Sequence, residues 1–196
     1  MRLWATAISS GCILLAAGSP GAASAAAPPG YTFEMDVAMR MRHFPWLRFR
    51  MQGSGQYRPD REYDVKFLSA PWFFPKRPGG TDLSMLDPIM WPEHYTYQQI
   101  GVRDGMALFT LHSLTKTDPM LDDATVALGP QGCTRTVDAA FSDGTNIHMN
   151  ITPSEVDGFL LPHSLTADID EPHLSLSASA DFKNYQFEGQ APLGKV

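Results

Sequence analysis

The fold is decided by residues 31–41, which read Tyr31-Thr32-Phe33-Glu34-Met35-Asp36-Val37-Ala38-Met39-Arg40-Met41. From Phe33 to Met41 the odd positions are all apolar, whereas the even positions are mainly polar or small. Successive side chains of a β-strand point to opposite faces of its sheet, so this pattern gives one apolar face and one wet face. We therefore predict a strand that is buried on one side only.

The same alternation continues in the two segments that follow. Apolar and polar residues alternate from Leu47 to Met51, and the segment runs on through Gly53-Ser54-Gly55 to Tyr57. Two glycines at alternate positions of a strand indicate either a sharp bend or a close neighbour. After a turn at Pro59-Asp60, residues 63–67 have the pattern of a third strand.

Most of the chain beyond residue 95 has the same period, and Asp-Gly pairs at 104–105, 143–144 and 157–158 separate its alternating runs. Asp-Gly between such runs is typical of antiparallel hairpins. Residues 71–95, called the flap below, are instead rich in proline and large apolar side chains, and Asp87-Pro88 has the pattern of a helix start. We predict a mostly β fold: a curved antiparallel sheet, or half-open β-barrel, of about ten strands with a short helical flap.

The amino terminus has the features of a secretory signal peptide. Arg2 precedes an uncharged apolar run from Leu3 to Ala17, and Ala23-Ser24-Ala25 fits a cleavage site. We expect a Sec-type signal peptide at residues 1–25, cleaved near Ala25, and a periplasmic protein with one domain at 26–196. That domain has a single cysteine, Cys133, so packing rather than an internal disulfide must stabilise it.

Charge and motifs exclude several classes of function. The chain has a formal charge of −6, which argues against nucleic-acid partners and against polybasic attraction to anionic lipid. The six histidines lack zinc-site spacing, and neither a Gly-x-Ser-x-Gly motif nor a phosphate-binding loop is present. We expect no metal, no cofactor, no catalytic residues and no enzymatic activity.

The main functional signal is an apolar stripe that the alternation places on the inner face of the sheet. Methionine-rich surfaces adapt to varied apolar partners, and the stripe and the flap together could line a cavity for an acyl chain. The alternative is an ordinary core packed beneath the flap. The candidate ligand-binding residues are Phe33, Met35, Met39, Met41, Phe49, Met51, Phe67, Trp72, Phe74, Met85, Met90 and Trp91.

The order of these elements resembles that of the outer-membrane lipoprotein-sorting proteins, the LolA-like family. The resemblance rests on four stretches: Gly53-Ser54-Gly55-Gln56-Tyr57-Arg58-Pro59, Asp143-Gly144, Leu161-Pro162 and Phe182-Lys183-Asn184-Tyr185. It covers roughly residues 31–187. It implies a half-barrel that carries a lipid or a lipoprotein in the cell envelope. The family's carriers usually begin with an amphipathic helix, whereas only residues 26–30 precede the first predicted strand here.

The leading hypothesis is an exported envelope protein that binds a lipid, an acyl chain or a lipoprotein under the flap. Its partners would be an apolar ligand or a lipidated protein, with peripheral membrane contact, and we expect a monomer. The alternative is a non-enzymatic structural or partner-binding envelope protein with a filled core. The sequence leaves the identity of the ligand open.

Overall fold

The computed structural model describes residues 28–44, 46–58, 61–69, 83–114 and 121–189. The predicted signal peptide and two of the candidate residues, Trp72 and Phe74, lie outside these ranges. Within them the chain forms ten strands: β1 (Tyr31–Met41), β2 (Arg48–Arg58), β3 (Arg61–Ser69), β4 (Tyr95–Arg103), β5 (Met106–Ser113), β6 (Leu121–Leu128), β7 (Thr134–Phe141), β8 (Asn146–Val156), β9 (Phe159–Glu171) and β10 (Leu174–Phe187).

The ten strands form one open sheet in the order β3-β2-β1-β10-β9-β8-β7-β6-β5-β4. All neighbouring strands are antiparallel, and β3 and β4 are the two edges. The first and last strands of the chain pair with each other, which brings distant parts of the sequence side by side. The predicted fold class, a mostly β protein with about ten antiparallel strands and a short helical flap, is confirmed.

Two of the predicted Asp-Gly turns connect their strands as tight hairpins. Asp104 and Asp157 have φ values of 52° and 50°, and the glycines that follow them have φ values of 76° and 86°. Positive φ at both central residues is the backbone of a type I′ turn, whose twist matches that of antiparallel strands. These two turns fix the registers of β4 with β5 and of β8 with β9.

A bulge in β10 changes which of its side chains face inward. Thr32 is paired with Gln186, but Glu34 is paired with Lys183, so β10 has one extra residue at this point. Asn184, at the bulge, has a φ of 55°. An extra residue reverses the alternation, because side chains on either side of it switch faces. Phe182 before the bulge and Tyr185 after it consequently line the same cavity, described below.

The described part of the flap consists of a 3-10 turn (Leu83–Leu86) and one turn of α-helix, α1 (Trp91–His94). The indole nitrogen of Trp91 donates a hydrogen bond to the backbone oxygen of Met85 at 3.1 Å, which joins the two pieces. The predicted helix start at Asp87 is displaced, because α1 begins only at Trp91. Asp87 nevertheless caps the intervening turn, since its carboxylate accepts the Ile89 N–H at 3.0 Å.

The interior divides into two groups of buried side chains. The packed cluster lies under α1 and contains Met85, Trp91, Tyr95, Leu111, Leu121, Ala124, Val126, Leu128, Val137 and Ala139. The cavity cluster lies on the first strands and their neighbours, and it contains Tyr31, Phe33, Met35, Tyr57, Met90, Leu161 and Phe187. Among the described residues, no helix is long and apolar enough to cross a membrane.

Candidate ligand-binding cavity

A cavity of about 740 Å³ lies on the inner face of the sheet. Its walls come from β1–β3, from β8–β10, from the 86–89 segment of the flap and from the loop before β7. Pockets that hold small molecules in proteins usually have volumes of about 300–1,000 Å³. On β1 the lining runs from Tyr31 to Met39, a distance of about 27 Å at roughly 3.4 Å per residue. The cavity is therefore long enough for an extended apolar chain.

Two glycines of β2 make room for the lining side chains of β1. Gly55 is opposite Phe33, and Gly53 is opposite Met35. A Cβ atom at Gly55 would lie only 2.1 Å from Phe33 Cζ, and one at Gly53 would lie 2.6 Å from Met35 Cε. The side chains of Phe33 and Met35 therefore lie across the backbone of β2. Of the two readings of the Gly-x-Gly pattern, the close neighbour is confirmed.

Apolar side chains dominate the lining, and aromatic rings form one end of it. The rings of Tyr31 and Tyr57 stack with their centroids 4.8 Å apart, and Tyr185 contacts Tyr31 edge-on at 5.5 Å. The hydroxyl of Tyr185 donates a hydrogen bond to the backbone oxygen of Pro162. Burial raises the pKa of this hydroxyl, and the neighbouring Tyr31 raises it further.

Asp87 gives the cavity a polar position. It is the one charged residue among the lining residues that the structure describes, and its side chain is buried. Burial raises the pKa of the Tyr57 hydroxyl, and the Asp87 carboxylate beside it raises that pKa further. Tyr57 and Tyr185 therefore both stay protonated near neutral pH. No basic side chain lines the cavity in the described ranges, so the Asp87 carboxyl group has no cationic neighbour among the described lining residues.

The loop before β7 closes the side of the cavity next to the flap. It contains a short 3-10 turn (Pro130–Gly132), in which Gln131 has a φ of 61°. The hydroxyl of Thr134 donates a hydrogen bond to the backbone oxygen of Leu86 at 2.8 Å. This partly buried bond joins β7 to the flap, so the 86–89 wall is attached to the sheet.

The structure describes ten of the twelve candidate residues; it brings five of them to the cavity and places the other five elsewhere. Phe33, Met35, Met39, Met51 and Phe67 line it. Three flap residues are buried in the two clusters rather than in the lining, namely Met85, Met90 and Trp91. Met41 and Phe49 are half-buried beyond the Met39 end. The hypothesis of a cavity and that of a packed core thus each describe a different part of the interior.

Sequence reasoning missed the lining residues of the second half of the chain and the polar end. They include Ile151, Leu161, Leu165, Ala178, Ala180, Phe182 and Tyr185 on β8–β10, together with Tyr31, Tyr57 and Asp87. Tyr31 has the same parity as Phe33, so extending the alternation by one step would have found it. The bulge hides the continuity of Phe182 with Tyr185. Within the described ranges, no three His, Cys, Asp or Glu residues lie close enough to hold a metal ion.

No protein-family model and no curated protein matches the chain. Among solved structures, a LolA superfamily protein from Nitrosomonas europaea is 6% identical with a TM-score of 0.59, and the match covers 83% of this chain and 88% of that one. A DUF1329 family protein from Desulfovibrio piger is 9% identical with a TM-score of 0.60, covering 85% of this chain and 89% of its own. A domain from Vibrio parahaemolyticus, assigned as an outer membrane lipoprotein-sorting protein, is 10% identical with a TM-score of 0.50, covering 84% and 88%. The resemblance drawn from the sequence is thus confirmed at the level of architecture: the chain has the LolA-like fold.

Proposed function

We propose that this protein is a non-enzymatic carrier of the cell envelope that holds an apolar chain in the cavity. The chain would belong to a lipid or to the lipid part of a lipoprotein. The observation that supports this proposal is the elongated cavity of about 740 Å³, whose walls are mainly apolar. The resemblance in fold to a domain assigned to lipoprotein sorting supports the same class of cargo.

The energetics fit a carrier that must also release its ligand. Burying a methylene contributes about 0.8 kcal/mol, so a chain of about twelve methylenes could gain roughly 10 kcal/mol before the costs of association. Those costs consume several kcal/mol of the gain. The net affinity would then be moderate, which suits reversible loading.

Native mass spectrometry of protein purified from cells is the first test, and uptake of a pyrene-labelled long-chain alcohol is the second. We expect a lipid-bound species and a rise in pyrene fluorescence. Met39→Asp should abolish both, because it places a charge on the wall of the cavity. Met106→Asp is the matched control, since Met106 is also half-buried but lies at the β4–β5 turn.

Two results would refute the proposal. A lipid-free protein that takes up no pyrene-labelled alcohol, although it is folded by circular dichroism, would show that the cavity holds no apolar chain. Equal uptake by the Met39→Asp and Met106→Asp variants would show that the probe binds elsewhere.

Partner binding is the second candidate function, because the edge strand β4 has exposed apolar side chains. Ile100 and Val102 are both exposed on this strand, and so is Leu68 on the opposite edge β3. An exposed sheet edge can accept an added strand from another protein. Charged substitutions of Ile100 and Val102 would weaken such a complex in a pull-down from envelope extracts, while leaving uptake of the pyrene-labelled alcohol unchanged.

A further inference from the structure

The turn that joins β1 to β2 exposes large apolar side chains to solvent. Trp46 is 77% exposed and Phe44 is 48% exposed, and Leu47 beside them is also exposed. The rings of Phe44 and Trp46 contact each other edge-on at 5.4 Å, and the Leu47 N–H donates to the Phe44 oxygen at 2.8 Å. These three residues, called the aromatic tip below, therefore form an ordered apolar surface at one end of the sheet.

Arginines concentrate on the outer face of the same hairpin. Arg40 of β1 lies directly opposite Arg48 of β2, and Arg50 lies one pair further along the strands. Like charges directly opposite each other destabilise a sheet. Among the described residues none of the three forms an ion pair, whereas Arg42 is paired with Asp170 at 3.0 Å. Residues 37–59 contain no acidic side chain to compensate this charge.

The three arginines border a shallow groove of about 460 Å³ on the outer face. One carboxylate, that of Asp168, also lines the groove, and it accepts a hydrogen bond from the Ser177 hydroxyl at 2.6 Å. His148 lines it as well and is paired with Asp138. Three arginines against one carboxylate leave the surface positive, although the whole chain has a charge of −6. The net charge of the whole chain therefore gives no indication of this local positive surface.

We propose that the β1–β2 hairpin docks on the surface of a bilayer that contains anionic phospholipid. Tryptophan and phenylalanine favour the membrane–water interface, so the aromatic tip would enter the headgroup layer. The guanidinium groups of Arg40, Arg48 and Arg50 would bind phosphate oxygens, for which their planar donor pairs are suited. Exposed rings favour a bilayer over free phosphate, because phosphate alone offers nothing for Trp46 and Phe44 to contact.

The rest of this end of the sheet limits the docking surface. Strand β9 ends at Glu171, and Asp170 just before it is paired with Arg42. These carboxylates would be repelled by anionic lipid, so docking involves the β1–β2 hairpin rather than the whole end. The opposite face of β1 bears Met39 at the end of the cavity, so a docked hairpin would bring that end near the bilayer.

The test is flotation of the purified protein with vesicles of phosphatidylcholine alone or mixed with phosphatidylglycerol. Mass spectrometry of each preparation should first establish that residues 1–25 are absent, because their apolar run would bind membranes by itself. We expect binding to the mixed vesicles, little binding to phosphatidylcholine, and a decrease as salt is added. Replacing Arg40, Arg48 and Arg50 with glutamine should weaken binding by roughly fivefold per charge, or about a hundredfold together.

The tip is tested separately from the charge. The double variant Phe44→Ala/Trp46→Ala should lose binding to mixed vesicles, while Arg103→Gln, on exposed β4, is the matched control and should bind as the parent does. Because all these side chains are exposed, the variants should fold, and uptake of the pyrene-labelled alcohol reports this independently. The proposal is overturned if the parent does not float with mixed vesicles at low salt. It is also overturned if the hairpin variants bind the mixed vesicles as well as Arg103→Gln does, even if those variants lose binding to a protein partner.

Discussion

Replacing Gly55 with alanine tests how the cavity is built. Gly55 of β2 faces Phe33 of β1, and an added Cβ atom would lie 2.1 Å from Phe33 Cζ. Carbon atoms in van der Waals contact are about 3.5–4.0 Å apart, so the ring would have to move by roughly 1.5 Å. Phe33 is buried against Tyr31, Phe182 and Tyr185, so its ring can move only into the cavity or against those neighbours.

Two effects of opposite sign decide the stability of the Gly55→Ala variant. Removing a glycine restricts the unfolded chain and usually stabilises a protein by about 0.4–1 kcal/mol. Overpacking a well-filled interior costs about 1–3 kcal/mol. We expect overpacking to win, because the contact is far shorter than van der Waals distance. The free energy of unfolding should fall by about 1–2 kcal/mol, which corresponds to a Tm lower by roughly 2–8 °C.

Thermal and urea unfolding followed by circular dichroism would measure this change. Gly101→Ala is the control, because Gly101 also lies in a strand but has no atom within 4 Å of its added Cβ, so its stability should stay equal or rise. Combining Gly55→Ala with Phe33→Leu should recover part of the loss, which a double-mutant cycle would report as coupling. A Gly55→Ala variant as stable as Gly101→Ala would refute the proposed packing of Phe33 over β2.

The remaining predictions concern the polar end of the cavity. Asp87→Asn keeps an acceptor for the Ile89 N–H but removes the carboxylate. A long-chain fatty acid should therefore compete better against the pyrene-labelled alcohol, by about tenfold or more. Equal competition by the fatty acid in the variant and the parent would contradict this. Burial and the Asp87 carboxylate raise the pKa of Tyr57 above its ordinary value of 10.0, so the unfolded chain ionises first. The contribution of the neutral Tyr57 hydroxyl to the free energy of unfolding should therefore be fully present below about pH 10 and should be lost as the pH rises further. Tyr57→Phe should make that fall shallower in thermal unfolding at stepped pH, and an equally steep fall would exclude this contribution.

The strands and the inner face could be predicted because each depends on local alternation. The pattern from Phe33 to Met41 fixes the face of β1, and Asp-Gly at 104–105 and 157–158 fixes two hairpins. The same rule places Phe67 on β3, and the structure brings that residue to the cavity. For these elements the physical cause lies within a few neighbouring residues.

The details of the site could not be predicted because they depend on contacts between distant residues. The bulge at Asn184 is set by the pairing of β10 with β1, and it reverses the alternation on which the prediction relies. The flap residues Met85 and Trp91 look like lid residues in the sequence, but they fill the packed cluster. Asp87 has the pattern of a helix cap, and only the fold shows that its carboxylate also lines the cavity.

The division of the interior separates the packed cluster from the residues that line the cavity. Trp91 is almost completely buried and holds the flap to β5 through Phe109, with ring centroids 5.4 Å apart. The cavity wall at residues 86–89 lies only a few residues away along the chain, but it lines the cavity together with β1–β3 and β8–β10. Substitutions in the lining could therefore adapt the cavity to a longer, shorter or more polar ligand without disturbing the packed cluster that holds the flap to the sheet.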